Sequence, residues 1–452
     1  MEQMNKVYAY IEEHKDEYIA VLKQFCAQPS VAAQNLGIEE MAAMVQKQLN
    51  AIGAKTQKFA TGGSPIVFGE INTGKNKTLM FYNHYDVQPV DPVSEWNTDP
   101  FTPVEKDGKI FARGTADNKG SLLTRLFAVD AYKKVYGELP VNVKFLIEGE
   151  EEVGSVHFEP FVKEHGKLLK TDGVIWEGGS RDINRGSNQV SLGYKGMVNL
   201  ELYCKEIKGD IHSSNAAIIP SATWRLVWAL GTMKNEKDEI TIDGFYDDVL
   251  PEIAVDTEYL NEFNLDEQRI LASAGVSSFI GGRTGTELKR KYIYEPALNV
   301  SGISSGYAGT GSKTVLPCEA SCKIDIRLVA GQTVEKVQKL IREHLDRHGF
   351  TDIEVKFCGG KDPYRTDPNS VLAQTVIRNS EAIYGVKPSV YRVFPATTAM
   401  VVLCRDSGVP AVAYGSDHAE SHMHGPNENI YIDDFIKCMK LNCAVLHDFA
   451  EG

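Results

Sequence analysis

The spacing of apolar residues changes character several times along the chain. Residues 3–28 carry Val7, Tyr8, Ile11, Tyr18, Ile19, Leu22 and Phe25 at helical spacing, which predicts an N-terminal helix ending at Pro29-Ser30. A second helix is predicted over 38–49, closed by Gly53. Apolar runs at 66–70 and 77–82 read as strands, the second leading into Asn83-His84-Tyr85-Asp86. Residues 87–113 lose the pattern and read as a long loop, of a length that is usually functional or disordered in a compact domain. A helix then carries Leu122, Leu123, Leu126, Phe127 and Ala131, followed by a buried strand at 141–147, a helix at 157–169 and a strand at 173–176. This alternation predicts a mixed or parallel sheet covered by helices. In such sheets ligands bind at the carboxyl ends of the strands.

Near residue 190 the pattern shifts. Val198, Leu200 and Leu202 alternate with Asn199, Glu201 and Tyr203, as in a strand with one wet face. A helix at 221–233, an acidic irregular stretch at 234–296 and a Gly/Ser-rich loop at 301–312 follow. Then come a strand at 320–328, a helix at 334–348 and a strand at 353–357. The order reads as β-α-β-β-α-β, a smaller domain with one helical layer inserted into the first. From 368 the earlier pattern returns, with helices at 370–384 and 398–406, a strand at 410–414 and a last helix at 433–450. The predicted architecture is a two-domain α/β chain. A larger mixed-sheet domain covers 1–191 and 359–452, and a smaller α+β domain covers 192–358.

Composition narrows the class. At 452 residues, 42% hydrophobic and 24% charged, the chain has material for large cores without a metal to hold them. A net charge of −13 argues against a nucleic-acid partner, which needs a basic face. No apolar run approaches the ~20 residues of a membrane span, and the charged N-terminal segment lacks the apolar stretch of a secretory signal. The eight cysteines are scattered without a CxxC pair. A cytoplasmic, reducing location is therefore expected, and a cysteine metal site is not.

The chemistry gathers at the predicted strand ends. Glu148-Gly149-Glu150-Glu151-Glu152-Val153-Gly154-Ser155 places four carboxylates at the end of a buried strand. They must be solvated, protonated or ligated to a cation. His84, Asp86 and Glu177 also lie just beyond strand ends, and Asp117 lies on a connection into a helix, where the dipole favours negative charge. Imidazole and carboxylate without thiolate suit zinc, manganese or cobalt. The set His84, Asp117, two of Glu150 to Glu152, Glu177 and a histidine near 424 exceeds the needs of one tetrahedral ion and would serve two. His418 and His422 enclose Glu420, but Gly415 and Gly425-Pro426 deny them a zincin helix, so they are read as loop residues that support the site.

Taken together, these motifs resemble the M20 co-catalytic metallopeptidases, and among them the carnosine-dipeptidase-like, cytosolic nonspecific dipeptidases. His84-Tyr85-Asp86 resembles the family's HxD. Arg113-Gly114-Thr115-Ala116-Asp117-Asn118-Lys119-Gly120 resembles its bridging-aspartate motif. Glu148 to Ser155 resembles its EGxEExGS, and His424-Gly425-Pro426-Asn427-Glu428 its C-terminal metal histidine. The resemblance implies a zinc-exopeptidase-like catalytic domain with a lid that forms a homodimer. It implies two divalent ions per subunit, zinc first and manganese or cobalt next. His84, Asp117 and Glu177 would hold one ion, and Asp117, Glu152 and His424 the other. Glu151 would be the general base, Asp86 would hold the His84 ring, and His212 would reach the partner's oxyanion. Arg327 and Thr397 would bind the substrate's free carboxylate. The implied reaction is amide hydrolysis of short peptides, dipeptides above all, with N-acyl-amino-acid deacylation or desuccinylation as the alternative. Two positions depart from the dipeptidase pattern. Glu177 stands where those enzymes carry aspartate and where deacylases and a carboxypeptidase branch carry glutamate. Asn369 stands where they carry a substrate-contacting histidine.

Overall fold

The structure, a computed structural model, describes residues 4–452. It contains two compact units. One comprises the chain up to Gly193 together with Thr366–Arg392 and Val402–Gly452, and the other Tyr194–Arg365 and Val393–Val401. The segment Val393–Val401, assigned by its sequence to the larger unit, packs with the smaller one. Lys195 N donates to Phe394 O at 3.0 Å and Arg327 Nη1 to Thr397 Oγ1 at 2.8 Å.

The larger unit is built on an eight-stranded sheet. Its order is Lys55–Phe59, Ile66–Ile71, Asn142–Glu148, Thr78–His84, Gly173–Trp176, Ala411–Ala413, Gln189–Ser191 and Ser389–Tyr391. The third to sixth of these run parallel, and the first two are antiparallel additions. The parallel strands are buried along nearly their whole length, as a sheet covered on both faces requires. Helix Gly120–Tyr136 is buried around most of its circumference and packs against Ile432–Glu451, which packs against Val371–Tyr384. The expected N-terminal helix is two helices, Asn5–Glu13 and Lys15–Ala27, which meet at His14, where Nδ1 bonds to Tyr10 O at 2.9 Å.

The patternless stretch 87–113 is ordered. It contains the hairpin Val104–Lys106/Lys109–Phe111, to which Asn429–Tyr431 adds a third antiparallel strand, Asn429 opposite Phe111. This small sheet brings residues 113–117 together with 424–428 across more than three hundred positions of sequence.

The smaller unit is a four-stranded antiparallel sheet in the order Ala297–Ser305, Glu319–Leu328, Gly196–Lys205, Glu354–Lys361. Val198, Leu200, Leu202, Ile324 and Ile326 point into one core with Leu226 and Met233 of helix Ala222–Met233 and Ile341 and Leu345 of helix Val334–Arg347. Both helices start on side-chain caps, Ser221 accepting from Trp224 N and Thr333 from Lys336 N. Two expectations fail here. The irregular stretch 234–296 holds helices Ala254–Glu262, Glu267–Ala274 and Gly285–Tyr294, which bury few apolar side chains and so leave little periodic trace. The Gly/Ser-rich segment begins inside strand Ala297–Ser305, an exposed edge strand with an irregularity between Val300 and Gly302.

Candidate metal centre

The parallel strands end at one edge of the large sheet, with His84 opposite Glu148. The chain leaving each strand supplies the polar groups. Asp86, fully buried, follows His84 and faces the acidic loop. Its Oδ1 accepts from Glu151 N at 3.2 Å, its Oδ2 accepts from Glu152 N at 3.0 Å, and its Oδ1 lies 3.3 Å from His84 Nδ1. His84 Nδ1 donates to the main-chain oxygen of Asp86 at 3.0 Å, so this one residue holds both the imidazole and the peptide that carries the two glutamates.

Asp117 is the hub. Its Oδ1 accepts from His84 Nε2 and its Oδ2 from His424 Nε2, each at 3.0 Å. His424 Nε2 also lies 3.3 Å from Glu152 Oε2. The residues His84, Asp117 and Glu152 offer ligand atoms within 4.8 Å of one another. Glu177, buried, is joined to the hub through Asn118, whose Nδ2 donates to its Oε2 at 3.4 Å. Among the sequence-derived candidates, His84, Asp86, Asp117, Glu151, Glu152, Glu177 and His424 all belong to the larger unit. His212, Arg327 and Thr397 belong to the smaller one.

The electrostatics are those of an under-neutralised anionic pocket. Burial, reinforced by Asp117, Glu152 and Asp86 against the opposing charge of His84, pushes the Glu151 carboxyl up to about 7. Burial and the neighbouring Glu151 push Glu177 up to about 8. Burial likewise lifts Glu148 to about 8, although the Tyr82 hydroxyl bonds to it. Asp117 moves the other way: burial opposes its ionisation, but the bonds from His424 and His84 hold it ionised. His424 rises to about 10 through its bonds to Asp117 and Glu152. Glu152 Oε1 is buried with no hydrogen-bond partner. An excess of buried carboxylate over imidazole, with one bare carboxylate oxygen among them, is a donor set that fits divalent cations.

Of the residues around the hub, Gln88 had no sequence signal, and Glu428 stood in a motif that gave it no role of its own. Glu428, fully buried, accepts from Arg113 Nη1 (2.8 Å), Gly114 N (3.0 Å), Ala116 N (2.8 Å) and Asp117 N (3.0 Å), and so sets the loop that presents Asp117. Gln88 Nε2 donates to Glu152 Oε2 at 2.8 Å. Glu150 turns away from the hub, accepting from His157 Nδ1 at 2.7 Å and Ser64 N at 2.9 Å. His418 is buried between Asn429 Oδ1 (3.1 Å) and Glu420 N (3.1 Å), with burial holding it near 4 and hence neutral. His422 is exposed.

The sequence profile of peptidase family M20/M25/M40 matches residues 80–448, a span that contains every residue of this centre. The chain belongs to this family. It is a metallohydrolase, and M20 metallopeptidases use divalent metals. It is 28% identical to the Beta-Ala-His dipeptidase of Homo sapiens over 477 aligned positions, covering 99% of this chain and 93% of that protein. It is 26% identical to the Cys-Gly metallodipeptidase dug1 of Schizosaccharomyces pombe, covering 99% of this chain and 98% of the relative. The crystal structure of the M20 family metallo-carboxypeptidase Sso-CP2 from Sulfolobus solfataricus superposes with a TM-score of 0.89 at 36% identity, covering 96% of this chain and 100% of that one. The two-unit, mixed-sheet α/β fold is thus the M20 fold, and no described helix is long and apolar enough to cross a membrane.

Proposed function

We propose that this M20 enzyme hydrolyses the amide bond of dipeptides that carry a free C-terminal carboxylate, using two divalent cations, zinc first and manganese or cobalt next. The observation that carries the reading is Asp117, which turns one oxygen to His84 and the other to His424 at equal distance, as a carboxylate bridging two cations would. His84, Asp117 and Glu177 would hold one cation, and Asp117, Glu152 and His424 the other. When bound, the cations supply electrophilic stabilisation of the oxyanion and make water acidic enough to ionise near neutral pH.

The chain's own residues do the rest. Glu151, on the rigid loop fixed by Asp86, takes a proton from the attacking water and returns it to the leaving amine. His212 Nδ1 accepts from Ser214 N at 3.1 Å, so the neutral ring carries its proton on exposed Nε2, ready to donate to an oxyanion. Arg327, steadied by its bond to Thr397, would pair with the substrate carboxylate through its guanidinium. The dipeptidase names of the two curated relatives support the substrate class.

A homodimer through the smaller unit is supported by its surface. Trp224 and Trp228 stack at 6.1 Å on helix Ala222–Met233, each 58% exposed. The adjoining edge strand, bonded to that helix through Thr223 and Ser305 at 2.7 Å, exposes Ile303. Large exposed apolar groups beside an open strand edge mark an interaction surface. The eight free thiols support a reducing, cytoplasmic location.

A second reading, release of the C-terminal residue from longer peptides, is favoured by Glu177 and by the 36% identity to the metallo-carboxypeptidase. One panel tests both readings. Zinc-, manganese- and cobalt-loaded enzyme is offered unprotected dipeptides, longer peptides, and N-acetyl and N-succinyl amino acids. Dipeptides should turn over fastest, and Glu151→Gln should lose on the order of 10²-fold or more in kcat. Preferential turnover of the N-acyl substrates, or full activity in Glu151→Gln, would overturn the proposal.

A further inference from the structure

The smaller unit contains a second group of metal-ligating side chains, unrelated in sequence to the M20 motifs. His344 and His348 lie one turn apart at the C-terminal end of helix Val334–Arg347, their rings 4.3 Å apart. Asp243 approaches from the segment that follows helix Ala222–Met233. Each of the three offers a ligand atom within 4.8 Å of the others.

The hydrogen bonds of His344 decide its tautomer. Thr232 Oγ1 donates its only proton to Ala229 O at 2.7 Å. It can therefore only accept from His344 Nε2, 3.0 Å away. Nε2 carries the ring proton, and Nδ1 is left with its lone pair bare. That Nδ1 is buried and has no hydrogen-bond partner, in a residue with no exposed surface. Most buried ring nitrogens are paired, because a buried unpaired acceptor is costly. Here one nitrogen is held by a hydroxyl and the other is left open, which is how a metal-binding imidazole is oriented.

We infer that His344, His348 and Asp243 form a site for a divalent transition metal of the zinc class, distinct from the Asp117 centre. Two imidazoles and a carboxylate suit zinc or nickel and do not suit magnesium or calcium, which take oxygen ligands. Ligand atoms around a tetrahedral zinc are about 3.4 Å apart, given bonds of about 2.1 Å. Binding therefore draws the three inward. His344 is fixed, whereas His348 and Asp243 are exposed and can move. The charge facing Asp243 is Arg347, whose Nη2 lies 3.1 Å from Oδ2 in an exposed pair that a cation can displace. The bound ion clamps the end of helix Val334–Arg347 to the segment after helix Ala222–Met233, two elements of the same core.

The test uses the full chain, stripped with chelator, reloaded with zinc or nickel, desalted and measured for metal content. His348→Ala and Asp243→Asn should each carry one equivalent fewer than the parent while retaining dipeptide turnover. His424→Ala should lose metal and activity at the other centre yet keep this equivalent. In the His424→Ala background, nickel should raise the melting temperature, and it should raise it less when His348→Ala is added, the two proteins melting together in chelator. Equal metal content in the parent, His348→Ala and Asp243→Asn would overturn the site.

Discussion

At the scale of the residue, the centre is set by carboxylates that do not themselves take part in the chemistry. Asp86 was legible from its place two residues after His84. Its larger task, accepting the peptide N–H groups of Glu151 and Glu152, was not, because nothing in a sequence states which loop a buried carboxylate will face. Glu428 shows the same limit. It stands in a recognised motif, yet its four donors come from residues 113–117. The substitution Asp86→Asn tests this reading. The amide keeps the shape but turns an N–H₂ toward one of the peptide donors, so the Glu151–Glu152 peptide loses part of its anchor, while His84 Nδ1 keeps its bond to the main-chain oxygen at this position. Metal affinity, measured by competition with a chromophoric chelator, should fall about 10- to 100-fold, with turnover falling in step. Unchanged affinity would show that packing alone orients these ligands.

At the scale of the element, what was legible followed from burial. The parallel strands are nearly continuous apolar runs, and their ends predicted where the polar groups would meet. Elements stabilised by capping or edge pairing were not legible. Helix Glu267–Ala274 buries no side chain and starts on Asp266, which accepts from Arg269 N at 3.0 Å. The strand that delivers His424 is only Asn429–Tyr431 and pairs with a hairpin inside an apparent loop. The strand-to-loop junction at Gly149 carries a prediction of its own. A Cβ there would sit 2.3 Å from the ring of Tyr85, which is buried and donates to Pro65 O at 2.7 Å. Gly149→Ala must push Tyr85 aside, and His84 and Asp86 flank it. Overpacking of this kind costs roughly 1–3 kcal/mol. Thermal denaturation should show that loss, together with reduced metal content. A variant as stable and as metal-rich as the parent would mean that the junction relaxes without moving the ligands.

At the scale of the whole molecule, the proposed chemistry divides between the two units, since the cation ligands and Glu151 lie in one and His212, Arg327 and Thr397 in the other. The proposed homodimer decides which subunit's His212 serves which centre. If His212 acts on the partner's site, two variants that are each inactive should repair one another. Glu151→Gln removes the base and keeps His212, while His212→Ala keeps the base and removes the donor. In a mixed dimer the Glu151→Gln subunit lends its His212 to the intact base of its partner, giving one working site in two. Random exchange makes half the dimers mixed, so a one-to-one mixture should recover roughly a quarter of the parent's activity after subunit exchange. Recovery should vanish when Trp224→Glu is added to both chains, because a charge on the exposed tryptophan pair opposes association through that face. Activity no greater than the sum of the two separate variants, in a mixture that sedimentation shows to contain mixed dimers, would place His212 in service of its own subunit or of neither.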